Sequence, residues 1–120
     1  MPTPLAPPVA GTNLSVVVGT IAREPATRTL PSGDLVVALE VRVEGPAAAT
    51  VPVSWSGDLP AGCDQGVEVL VVGAVRRRFF RAGGATQSRT ELVAAAIVPT
   101  RQRARAARAL AAAVEVVAAA

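Results

Sequence analysis

Residues 66–98 read GVEVLVVGAVRRRFFRAGGATQSRTELVAAAIV, and their period decides the fold. The odd positions Val67, Val69, Val71, Gly73 and Val75 make one apolar face, while Arg76, Arg78 and Phe80 fall on the other. Gly83-Gly84 then marks a turn that sends the chain back into a second strand, SRTELVAAAIV (88–98). Working outward, the same period recurs. Leu35, Val37, Leu39, Val41 and Val43 share one face, with Glu40 and Arg42 opposite, as in a half-buried antiparallel strand. NLSVVVGTIA (13–22) reads as a first strand with Gly19 at a bend or bulge. Pro31-Ser32-Gly33-Asp34 is a turn. EGPAAAT (44–50) leads into the strand TVPVSWSG, where Pro52 predicts an edge or bulged position. DLPAGCDQG (58–66) is a loop. Five short strands with glycine-marked bends predict an all-β fold, a small five-stranded barrel.

RQRARAARALAAAVEVVAAA (101–120) follows another rule. Alanine and arginine favour helix, and Arg101, Arg105 and Arg108 share a face while Leu110, Val114 and Val117 share another. The sequence therefore divides into a Pro-rich tail (1–12), expected to be flexible, a barrel domain (13–100) and a C-terminal amphipathic helix (101–120).

The composition excludes several chemistries. Of the 120 residues 51% are hydrophobic and 18% charged, so the chain can bury a core. There is no histidine, and Cys63 is the only cysteine, so neither an internal disulfide nor a Cys/His zinc site is expected. Cys63 also lacks the partner that would activate it as a nucleophile. The nine carboxylates are scattered. No enzyme activity and no cofactor are expected. The N-terminus carries no secretory signature, and no apolar run reaches the length of a membrane helix. A soluble protein is expected.

Twelve basic residues against nine acidic ones leave a charge of +3 and suggest an anionic partner. The chain has only two phenylalanines, and both lie in its densest arginine cluster. If the strand stays regular, Arg76, Arg78 and Phe80 put two guanidiniums and a ring on one face, as a single-stranded nucleic-acid platform requires. The odd-numbered Phe79 is then expected to anchor the strand end in the core. The arginine run also reads as a solvated strand end. Trp55 alternates with Val51 and Val53 toward the core, but a bulge at Pro52 would turn it outward, so it is carried as a candidate stacking residue.

VVVGTIAREPATRTLPSGDLVVALEV (16–41), followed by GVEVLVVGAVRRRFFRAGGATQSRTELVA, resembles the bacterial single-stranded DNA-binding proteins over roughly Asn13 to Pro99. The shared features are a strand ending in glycine, an acidic-Pro pair, an arginine, a Pro-Ser-Gly turn, an alternating strand, and the basic strand with its glycine turn. The resemblance implies an OB-fold and sequence-independent binding of single-stranded DNA in replication, repair or recombination. It also implies a homo-oligomer, dimer or tetramer, in the cytoplasm at the nucleoid. Phe80 matches the family's stacking aromatic, Arg76 and Arg78 its basic groups on the same surface, and Arg23 and Arg28 its backbone-contacting loop. Arg81 and Arg89 are expected to add phosphate contacts. The chain departs from the family in a shortened loop at 44–50, a reduced segment at 58–66 and an end, VEVVAAA, without the acidic partner-recruiting tip. Those departures motivate an alternative: an OB-fold interaction or oligomerisation module with weak or lost DNA binding.

Overall fold

Leu35–Val43 forms the strand its alternation predicts. In the computed structural model, which describes residues 11–119, Val37, Leu39 and Val41 are almost wholly buried and Arg42 is exposed. The elements are β1 (Ser15–Ile21), β2 (Ala26–Thr29), β3 (Leu35–Val43), β4 (Ala49–Ser56), β5 (Glu68–Ala82), β6 (Ala85–Pro99) and α1 (Arg103–Ala118). Residues 1–10 of the expected tail lie outside the described residues.

The sheet runs β1-β5-β6-β4-β3 and returns to β1 through the pairs Thr20↔Arg42 and Ile21↔Val41. Every pairing in this ring is antiparallel except β4 with β6. The protein is thus a five-stranded OB-fold barrel with a C-terminal helix, as the sequence predicts. Inside it, Ile21, Val53, Val69, Val71, Leu92 and Ile97 join the β3 residues in one cluster, each at most 3% exposed. Full burial of each such side chain contributes about 1.5–3 kcal/mol.

β2 was not expected. Its four residues, ATRT, are all exposed, so they carry no apolar alternation to read. They pair with β3 from Ala26↔Ala38 to Thr29↔Leu35 and fold back as an arm on the sheet. Of the two positions expected for Pro52, edge or bulge, the structure shows the edge. Pro52 pairs in regular register with Glu40, without a bulge, and β4 meets β6 only at Val53 and Ser54. The missing N–H of Pro52 therefore lies on a stretch that is paired on one side.

β6 carries the one irregularity of the β5–β6 ladder. Val72 pairs with Ala96 but Gly73 with Ala94, which leaves Ala95 as the extra residue of a bulge. The bulge reconciles Leu92 and Ile97, five positions apart, with the same core. Beyond it, β5 and β6 continue past the barrel as a two-stranded arm. The Asn13 side chain marks its root: its amide N–H donates to the Val75 carbonyl (2.8 Å) and its oxygen accepts from the Val75 N–H (3.0 Å). Gly83 and Gly84 close the arm with φ of 58° and 80°, the pair of positive angles a type I′ hairpin turn requires.

Helix α1 lies on the outer face of β5 and β6. Small side chains make the contact: Ala113, with Ala106 and Ala109, covers Leu70, Val72 and Ala96. The larger stripe of Leu110, Val114 and Val117 points away, 45–59% exposed. Among the described residues no helix is long and apolar enough to cross a membrane.

Candidate nucleic-acid interface

Alternation carried through the arm assigns its two faces. Cross-strand partners share a face, so Arg76/Glu91, Arg78/Arg89 and Phe80/Gln87 lie on one side, and Arg77/Thr90, Phe79/Ser88 and Arg81/Thr86 on the other. The first face continues the outer surface of the barrel. It meets Val36 and Ala38 of β3, Pro52 and Ser54 of β4, and Arg28 of β2 around a groove of about 380 Å³. Arg76 and Val93 extend the same groove toward Leu30.

Its charge is lopsided. Arg28, Arg76, Arg78 and Arg89 line the groove, and Glu91 is the one carboxylate among the lining residues. Arg78 and Arg89 stand directly opposite each other across the ladder. Like charges in that position are destabilising. Glu91, with a side chain only 10% exposed, lies 3.7 Å from Arg78 and offsets part of the repulsion. Phe80 sits beyond the two arginines, 41% exposed, with its ring on the groove. The floor is small and mostly apolar.

Five of the eight residues read from the sequence therefore converge on the groove: Arg28, Arg76, Arg78, Phe80 and Arg89. Three do not. Arg23 stands outside it, paired with Glu40 at 3.6 Å. Arg81 is on the opposite face of the arm, where its guanidinium donates to the Gly84 carbonyl (3.0 Å). Trp55, carried as a possible stacking residue, instead packs against the barrel core. Its indole N–H donates to the Asp58 carbonyl at 2.9 Å. Because Pro52 forms no bulge, nothing turns the indole outward. Phe79 is the reverse case. The sequence places it in the core, yet it is 69% exposed, because the arm leaves the barrel at Val75 and has no interior beyond that point.

The floor residues Val36, Ala38, Pro52 and Ser54 were missed. Their signal was available, since even positions of β3 and β4 share the outward face, but small neutral side chains do not announce a site. Cys63 is buried in the core cluster. Burial, and then the neighbouring Asp64 charge, pushes its thiol above the ordinary range, although Arg101 and Arg105 pull the other way. A thiol of that kind is a poor nucleophile. Among the described residues no cluster of His, Cys, Asp or Glu could hold a metal ion. Compared with known proteins, the chain matches no family model and no curated protein.

Proposed function

We propose that the groove binds single-stranded DNA without sequence preference, and that the chain is a divergent, shortened member of the bacterial single-stranded DNA-binding family. The observation that carries this reading is the Arg78–Arg89 pair. Two guanidiniums held face to face beside Arg28 and Arg76 become favourable once a phosphate lies between them. The exposed ring of Phe80 next to them suits an unpaired base, since a duplex keeps its bases stacked on one another. The floor of Val36, Ala38 and Pro52 offers few groups that could read a base edge, which accounts for the lack of sequence preference. Such a module acts where DNA is transiently single-stranded, in replication, repair or recombination, and so in the cytoplasm at the nucleoid. No catalytic step is assigned to it.

A polarisation titration of labelled oligo-dT against salt tests this reading. Four groove arginines predict a slope of log affinity on log salt of about −3, from roughly 0.7 counterions per phosphate on a single strand. Duplex DNA of equal length should bind much more weakly. A salt-insensitive complex, or equal affinity for duplex, overturns the proposal.

A second reading, self-association, is favoured by a separate surface. Val16 and Val18 on the outer face of β1 are 42% and 48% exposed. Val16 and Leu14 border an apolar groove whose other wall is Leu110, Val114 and Val117 of α1. None of its described lining residues is charged, so two copies of the patch can meet without like-charge repulsion across a two-fold axis. Val114→Asp is the appropriate variant because Val114 is 59% exposed, so the barrel loses no packing. Sedimentation should show a dimer or larger species for the native chain and a monomer for the variant. A native monomer at tens of micromolar removes this reading and leaves the DNA groove untouched.

A further inference from the structure

The opposite face of the β5–β6 arm has its own basic and aromatic set. Arg77, Phe79 and Arg81 project there, across from Thr90, Ser88 and Thr86. Along the arm itself, the residues of this face beyond Leu92 include no carboxylate. Phe79 is the most exposed large hydrophobic residue among those described, at 69%. The Arg77 guanidinium lies over its ring, 5.7 Å from the centroid, and donates to the Ser88 hydroxyl at 2.9 Å. That hydrogen bond holds the guanidinium beside the ring, most of which stays open to solvent.

The strip also leads somewhere. At its foot, Val75 and Thr90 border a cavity of about 290 Å³ at the barrel mouth, lined also by Val17, Thr50, Val51 and, as its one carboxylate, Glu91. Pro52 and Glu91 line both this cavity and the groove on the other side. The two faces are therefore contiguous there, and Pro52 is the uncharged part of the passage.

We propose that this reverse face is a second subsite for the same single strand. A base stacks on Phe79, Arg77 and Arg81 take phosphates, and the strand reaches the groove over Pro52. The arm is then gripped on both sides, and the full site is longer than the groove. The inference rests on the groove reading for the nature of the ligand, but its test separates the two.

The test compares oligo-dT of 6 and of 15 nucleotides, lengths within the span occupied by single OB-folds (about 4–16). Phe79→Ala should weaken binding of the 15-mer by about fivefold or more and leave the 6-mer unchanged, whereas Phe80→Ala should weaken both. Arg77→Ser should flatten the salt slope for the 15-mer only, by about 0.7. Both side chains are exposed, so the variants should fold, which circular dichroism verifies. Unchanged 15-mer affinity in Phe79→Ala overturns the subsite while the groove stands. Equal losses on both lengths also overturn it, since Phe79 would then belong to the first contact. If Phe80→Ala is neutral and Phe79→Ala is not, the groove reading falls and the reverse face survives. If the native protein binds neither oligonucleotide, both fall.

Discussion

Gly73→Ala is expected to lower stability by about 3 kcal/mol, the upper part of the usual range for overpacking. A Cβ at this position would collide with the Val93 carbonyl oxygen and come within 2.7 Å of a Leu92 methyl. The first obstacle is backbone, held in place by the β5–β6 ladder beside the Ala95 bulge, so it cannot rotate aside as a side chain could. Gly73 is inward-facing and buried, and the close approach of the two strands is what bends the sheet into a closed barrel. For a domain whose whole stability is about 5–15 kcal/mol, valine at the same place should leave no folded population. Urea unfolding followed by Trp55 emission measures this directly, since Trp55 is the only tryptophan and packs on the core. Gly83→Ala is the control. It has open space around it and only a positive φ of 58°, which costs about 1–2 kcal/mol. If Gly73→Ala unfolds at the native urea midpoint, the strand approach described here is wrong.

The barrel was legible because its core strands alternate. Val37, Leu39 and Val41 are buried where period two puts them, whereas the bulge lies opposite Gly73 and not at Gly19, which pairs in regular register with Val69. What period two could not convey was where the inside ends. Phe79 has the parity of Val71, but parity implies burial only while a barrel surrounds the strand. Past Val75 the same face looks into solvent. The β6 bulge hid in an alanine run, where Ala94, Ala95 and Ala96 offer no contrast to show the extra residue. β2 is short, polar and exposed, so only the tertiary pairing with β3 defines it. That pairing is also what brings Arg28 to the groove, 50 positions from Arg78. The sequence named most of the groove's charges. It could not show which of them meet, because meeting is set by register: Arg78 faces Arg89 only because the two-residue turn at Gly83-Gly84 fixes the count.

Arg89→Glu should therefore move stability and binding in opposite directions. In the native chain Arg78 and Arg89 repel each other across the ladder, and a carboxylate at position 89 turns that repulsion into an opposite-charge pair. Such a cross-strand pair contributes about 0.2–1 kcal/mol, so the variant should unfold at a higher urea concentration than the native protein. Binding should suffer instead. One cation is lost from the groove and one anion gained, which removes about two counterions' worth of attraction. The salt slope should flatten from about −3 to about −1.5, and affinity at 0.1 M salt should fall about 20-fold. An arginine cluster that holds no ligand predicts only the gain in stability: with no ligand to hold, there is no affinity to lose. If Arg89→Glu binds oligo-dT as well as the native protein does, the strand does not pass between Arg78 and Arg89. If it is instead less stable than the native protein, the arginine pair is not under strain, and the observation carrying the proposed function is gone. A gain in stability together with the loss of binding would show a repulsive pair kept in place for the phosphate that relieves it.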